Sequence, residues 1–545
     1  MLKINNIKNL LPHLVFISIL LFVSKLPVYT QNSLTPKNTF FAKTVHNIPP
    51  PDYYWFISAM NQGGYSWQYT NQYTTEPSEP ITTFIYYSFL GRIAKLTGIS
   101  NINMFHLVNS VNLLLFYSVS WLLIKSVVPG KKYQWLALFI IFFAGPFPTG
   151  KIPLIGEIVR DKTDIIWTYL DPYSRLFPRP HHFFAQVVTI GSVYLFLRYF
   201  KEKKLYLAVI GAILLELAFI VYLVPAFIFF SSLSILLGLY FLKLITAYLS
   251  ENELLVKSTL QFLKQTSVGW ILIICLSAFF IFILRDGTLG ESRFNWEVIT
   301  YNPKGYPFTI WFLFFSLGLL PFFSLFSLSK FKDKMKLEFV LILLMAILPF
   351  VFYLLAEKGV INVNKIRFAN TSPYVFFAIL STYGIIKIRQ LIKNRLPIIL
   401  IYLIFLVNGV LGLYSYWFPY LYAPQFYSER FISLKYFKVM DFLNKHTQPF
   451  SSVLSTFSEG NFLPAFTLNK VYIGHEVGTE NFTEKWGPVK SFYNGTMTSD
   501  NLKGLLKKNS IEYVLWNGFY FPEKYKSIIT PVFQSEDLTL YKIKS

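Results

Sequence analysis

Three carboxylates, Asp52, Glu76 and Glu79, stand in one aromatic stretch of a chain poor in acids: PPPDYYWFISAMNQGGYSWQYTNQYTTEPSEP, residues 49–80. A carboxylate fixed in a loop can take a proton from a hydroxyl nucleophile. Asp52 follows three prolines and opens a predicted helix, so capping of the first amides is its plainer role. Tyr53, Tyr54, Trp55 and Trp67 crowd the same stretch, and anchoring at a membrane interface is the plain reading of such rings. A second loop, 149–180, carries Asp161, Asp164, Asp171, Arg175 and Arg179, with His181 and His182 directly after it. In RDKTD the two acids lie three apart, on one helical face. Arginine suits bidentate phosphate recognition, and ion pairing within the loop is the alternative. His181 and His182 are adjacent, point to different helical faces, and make a poor metal pair. Arg367, in KIRFANTSP (365–373), can hold a phosphate or snorkel to an interface.

The elements that position these residues are membrane spans. The chain has 545 residues, 54% hydrophobic and 14% charged, with a mean hydropathy of +0.45. Soluble domains average about 25% charged. Eleven apolar runs are predicted as helices: 11–28, 103–124, 133–148, 182–200, 205–223, 226–244, 267–284, 308–329, 337–356, 370–386 and 396–416. With the N-terminus inside, the inner segments hold 20 Lys and Arg in 64 residues, against 15 in 140 for outer loops 29–100, 149–180, 285–307 and 357–369. That asymmetry sets the topology and accounts for the net charge of +22 without nucleic acid. The first run lacks a cleavage site and reads as a retained span. Cys275 is the one cysteine, so no intrachain disulfide forms. Glu216 lies within a span, where a structural hydrogen bond is as good a reading as a functional one.

The first outer loop is predicted to hold two interfacial helices. One is DYYWFISAMNQ (52–62), with Tyr53, Phe56, Ile57 and Met60 on one face; the other spans 80–97. Residues 417–545 change character, and the tail reads as a small α/β domain outside the membrane. Strands are predicted at 451–458, 470–474, 511–517 and 538–543, and a helix capped by Ser499 at 499–509. The domains are thus 1–416, membrane-embedded, and 417–545, extracytoplasmic. No phosphate-loop, H-E-x-x-H or G-x-S-x-G motif is present.

This layout resembles the GT-C superfamily of polytopic glycosyltransferases, which includes the protein mannosyltransferases and lipid A aminoarabinose transferases. The resemblance rests on Asp52 soon after the first span and on NQYTTEPSEP with Glu76. It rests also on Arg367 in IRFANTSP, and on the tail YIGHEVGTENFTEKWGPVKSFYNG followed by IEYVLWN. It implies an α-helical polytopic membrane protein of about eleven spans in the cytoplasmic membrane. It implies inverting transfer of a sugar from a polyprenyl-phosphate donor to an extracytoplasmic glycan, lipid or protein. Asp52 would be the base, and Glu76 the rival, because Tyr53 follows Asp52 where the family carries an Asp-Glu pair. Arg175, Arg179 and Arg367 would bind the donor phosphate. Asp161, Asp164, Asp171, His181, His182, Tyr53 and Trp55 would line the substrate. No cofactor is implied, no D-x-D is present, and a divalent metal stays open. The other class to weigh is a transporter or flippase of lipid-linked glycans, which calls for charged groups in mid-membrane helices.

Overall fold

The computed structural model describes residues 4–44, 48–145, 150–152, 156–158, 169–170, 172–286, 317–328, 336–361, 363–392, 396, 399–407, 409–410 and 430–544. The chain divides into two compact units. Unit 1 comprises Met1–Ser24, Asn109–Thr288 and Ser292–Pro419; unit 2 comprises Lys25–Val108, Leu289–Glu291 and Tyr420–Ser545.

Among the described residues, six helices are long and apolar enough to cross a membrane: Leu10–Ser33, Asn101–Val127, Pro180–Glu202, Leu223–Leu249, Glu253–Phe279 and Leu337–Glu357. A helix satisfies its own backbone groups, which is what lets such segments stand in hydrocarbon. Shorter helices fill other predicted runs: Lys131–Phe143, Leu205–Val221, Leu320–Ser327 and Pro373–Leu391. Run 396–416 is described only in part, and is helical at 399–407.

Unit 1 is a helix bundle whose breaks have local causes. Pro225 lacks the N–H that would bond the Val221 carbonyl, and Tyr222 adopts an extended conformation (φ −158°, ψ 105°) between two helices. The Leu320–Ser327 and Pro373–Leu391 helices touch through small residues. A Cβ on Gly384 would lie 1.8 Å from the Phe323 carbonyl oxygen, and Ser324 and Ser381 are 3.1 Å apart across the contact.

Unit 2 holds a five-stranded sheet in the order Lys470–Val471, Ser452–Leu454, Tyr513–Asn517, Leu538–Ile543, Ile529–Ser535. The first three strands are parallel and the last two antiparallel to their neighbours. The crossovers are the Phe457–Phe466 helix and the pair Phe482–Tyr493 and Ser499–Lys508. Leu454, Ile473, Phe492, Leu502, Val514 and Tyr525 form the core between sheet and helices. Thr498, one residue before the expected Ser499, caps the last of these helices. The expected strand 451–458 ends at Leu454, because Thr456 opens a helix with a capping box to Glu459.

The first-loop helix, Pro50–Gly63, departs from the interfacial expectation. Every residue from Tyr53 to Met60 is buried, so both faces are covered. One neighbour is the Ile85–Thr97 helix. Gly63 and Gly91 let the two backbones meet, since added Cβ atoms would lie 2.4 Å from Ser88 Cα and 1.8 Å from the Met60 carbonyl. The other neighbour is the Phe457–Phe466 helix of the tail, where Phe462 and Phe466 meet the ring of Tyr54.

The loop after it is sewn to the sheet edge. Val471 donates to the Gln72 carbonyl (2.8 Å), Gln72 Nε2 to the Asn469 carbonyl (2.9 Å), and Tyr73 Oη to the Asn461 carbonyl (3.1 Å). Residues 72–73 thus cover an otherwise open strand edge.

Candidate functional site

In unit 2, Asp52 is paired with a histidine of the tail. Its Oδ1 accepts from His475 Nε2 at 2.9 Å. Helix capping gives Asp52 little to do. The helix starts at Pro50, and Pro50 and Pro51 have no N–H to cap, while the Tyr53 amide already bonds the Pro49 carbonyl.

The histidine's tautomer follows from its neighbours. His475 Nδ1 lies 3.1 Å from the backbone N–H groups of both Val477 and Gly478, so it accepts and carries no proton. Nε2 therefore holds the proton and donates it toward the carboxylate. The His475 side chain is 5% exposed and that of Asp52 28%, so solvent or substrate reaches the acid and not the imidazole. Trp55 closes over the imidazole (centroids 4.3 Å) and Tyr73 meets its edge (5.9 Å). Gly474 permits the approach, since a Cβ there would lie 2.6 Å from the Gly460 carbonyl and 2.7 Å from the Tyr73 ring.

This surrounding corrects the expected role of two aromatics. Tyr53 is fully buried against Phe105 (5.0 Å), and Trp55 is sealed between His475 and Phe84. Both are packing rings with no face open to a sugar.

Glu76 is a tether. Its carboxylate meets Lys485 Nζ at 2.5 Å and the Thr74 hydroxyl, and Lys470 donates to its carbonyl. Burial alone would raise its pKa, but the Lys485 ammonium and Thr74 hydroxyl outweigh that and hold it below the usual value. A carboxylate pinned in this way is a weak proton acceptor. The sign for stability follows. With the folded pKa depressed, the contribution is full above the ordinary carboxylate pKa and disappears as pH falls through the lowered one. Glu76→Gln should therefore flatten the acid limb of unit 2 stability. At neutral pH it should cost on the order of 1–3 kcal/mol by stranding the buried Lys485. Thermal unfolding of the full chain across pH 3–7 checks this; an acid limb that is unchanged would refute the tether.

A second cluster lies in unit 1, at the start of the Pro180–Glu202 helix. His182, buried, stacks on Tyr222 (centroids 3.9 Å, 25°), with His181 beside it (4.2 Å). The Tyr222 hydroxyl donates to the Arg367 carbonyl (3.3 Å). Arg179 and Arg367 both lie within electrostatic reach of His182. Buried Gln186 joins the helix to the 370–374 segment: its Oε1 accepts from Ser372 (3.0 Å) and Tyr374 (3.1 Å), and its Nε2 donates to Asn370 (2.9 Å). Two sequence-distant arginines, Arg179 and Arg367, thus both act on the His182 imidazole.

Arg175 does not share that role. It is wholly buried and its guanidinium donates to four carbonyls: Tyr169 (2.8 Å), Leu170 (2.6 Å), Ile141 (2.6 Å) and Ala144 (2.7 Å). It also lies over the Tyr374 ring at 4.0 Å. Ile141 and Ala144 end the Lys131–Phe143 helix, so Arg175 closes that helix instead of meeting a phosphate. Asp161, Asp164 and Asp171 lie outside the described residues. Among the described residues, no three His, Cys, Asp or Glu side chains group closely enough to hold a metal. The residue that the sequence reading missed is His475. It stands inside the quoted tail segment, but nothing local ties it to an acid 423 positions away.

No family model matches the sequence, and no curated protein does. Among solved structures, the chain is similar to the Archaeoglobus fulgidus oligosaccharyltransferase in its apo form. The match covers 93% of this chain and 69% of that one, at 15% identity and a TM-score of 0.52. It is also similar to apo ArnT from Cupriavidus metallidurans, over 97% of each chain, at 10% identity and a TM-score of 0.50. At such identities the likeness is one of fold. The chain shares the overall helical fold of those two structures, and its tail holds a small sheet.

Proposed function

We propose that this chain is an inverting membrane glycosyltransferase with Asp52 as the general base. The donor is a sugar carried on a polyprenyl phosphate and the acceptor is an extracytoplasmic glycan, lipid or protein. The observation that carries this is the Asp52–His475 pair: a partly exposed carboxylate held by a buried, tautomer-fixed imidazole, in a chain of GT-C-type fold. The acceptor hydroxyl approaches Asp52 and gives up its proton as its oxygen attacks the anomeric carbon. The bond to the lipid phosphate breaks and the lipid leaves as a phosphate anion.

Cations offset the charge that develops on that leaving group. The Arg179–Arg367 cluster of unit 1 has the chemistry for it. Arg367→Lys keeps the charge and loses the fork, so use of donor lipid should weaken by about tenfold, read as a rise in KM for donor. Unchanged kinetics in Arg367→Ala would remove the residue from the donor site.

The fold and the charge asymmetry of the loops support a cytoplasmic-membrane location with the N-terminus inside and the tail outside. The direct test of function uses purified chain in vesicles with a polyprenyl-phosphate-linked sugar. Release of polyprenyl phosphate is expected only when acceptor is present. Donor that crosses the bilayer intact and is never cleaved would transfer the reading to a flippase.

A further inference from the structure

The Pro180–Glu202 helix has Arg179 before its first turn and Arg198 and Lys201 in its last two. The 19 residues from Arg179 to Arg198 span about 28 Å at 1.5 Å each, so the second basic group is a separate place. There, the ends of the Asn101–Val127 and Pro180–Glu202 helices and the start of the Leu337–Glu357 helix enclose a cavity of about 330 Å³. Its polar lining includes Lys125, Ser126, Tyr194, Arg198 and Lys201, with Glu202 and Glu338. Leu122, Val127 and Leu197 complete the walls.

The charges in it are unequally matched. Glu202 is held by Arg198 (2.6 Å) and again by Lys204 (3.2 Å). The Tyr194 hydroxyl steadies the same guanidinium at 3.4 Å. Lys125 and Lys201 make no ion pair among the described residues. Two free ammonium groups and an oriented guanidinium thus face one cavity, opposed by Glu338.

We propose that this cavity binds a phosphate group, supplied by the headgroup of an anionic phospholipid. Cationic groups at helix ends above leucine walls match an amphiphile: phosphate at the rim, first acyl carbons below. Basic pockets between membrane helices recognise anionic headgroups in this way. Lys125, Ser126, Arg198 and Lys201 fall in two of the inner segments, 125–132 and 198–205, whose basic density marks them as one membrane face. The role is binding; no covalent step is involved.

The probe is phosphatidylglycerol, added to the full-length chain in detergent and read by native mass spectrometry and thermal unfolding. Phosphatidylcholine and inorganic phosphate are the other two arms. Retained phosphatidylglycerol with a raised unfolding temperature, and neither effect from phosphatidylcholine, is the expected result. In Lys125→Gln/Lys201→Gln, retention should fall by roughly tenfold or more. Both lysines are exposed, so the fold is not at risk. The control is Lys243→Gln/Lys264→Gln, also exposed and basic, which should retain lipid like the parent. Stabilisation by inorganic phosphate alone, lost in the pocket variant, would keep the phosphate site and make free phosphate its source. Equal losses in both double variants would show only a general surface attraction and would overturn the site, as would no retention by the parent.

Discussion

Asp52→Asn should lower sugar transfer by about 10²–10⁴-fold, the usual loss when a general base is removed, with the chain folded and at normal abundance. Asn has the same shape, and its amide oxygen can still accept from His475 Nε2. The change therefore removes the charge and the basicity and leaves the contact. The rival role, helix capping, predicts no such loss, because Asn caps nearly as well as Asp. Pro50 and Pro51 have already removed the amides that a cap would serve. The charge also faces the positive end of the helix dipole, which is worth at most about 1 kcal/mol here and is read separately by thermal unfolding. The measurement is transfer from a polyprenyl-phosphate-linked donor by membranes matched for protein. Transfer within a few-fold of the parent would remove Asp52 as the base. Glu76→Gln in the same assay should stay within a few-fold, since that carboxylate is already committed to Lys485.

What was legible in the sequence was what periodicity and charge record. Apolar runs gave the helices of unit 1, and the tail strands at 470–471, 513–517 and 538–543 sat where β-branched and aromatic residues predict. What was not legible depended on close approach. The Phe457–Phe466 helix carries its capping box openly in Thr456 and Glu459, but Gly460 and Pro464 read as breakers. Gly460 is there because a Cβ would lie 1.9 Å from the Ile473 carbonyl. The edge strand Ile529–Ser535 is hidden by Pro531, which the sheet accepts at a register shift between Pro531 and Phe533.

The same limit applies to the site. Asp52, Arg179 and Arg367 could be picked out as candidates, being charges in an otherwise apolar chain. That Arg175 closes a helix, that Trp55 is packing and that Glu76 is a tether are facts about distant partners, and composition holds no trace of them.

His475 is where these arguments can be separated by experiment, because its two nitrogens do different work. Nδ1 accepts two backbone amides and shapes the turn 475–478; Nε2 donates to Asp52. Asn places its oxygen near the Nδ1 position and reaches no further. His475→Asn should keep the turn and lose the bond to Asp52. Gln places its amide nitrogen near Nε2, so His475→Gln should keep the donor to Asp52 and lose the turn's acceptor. If His475 is a positioning residue for the base, the Asn variant should be stable and its kcat should fall by about 10²-fold, the scale of a 1 Å misplacement of a reacting group, with KM for donor little changed. The Gln variant should be less stable, by about 1–3 kcal/mol for stranding the buried Gly478 amide and loosening the Val477 one, and should recover most of the kcat. A merely structural histidine predicts the reverse order, with activity following stability in both variants. Unfolding temperatures and steady-state kinetics on the same two preparations decide between them. In the Asp52→Asn background, His475→Asn should cause little further loss, since the group it positions is already gone.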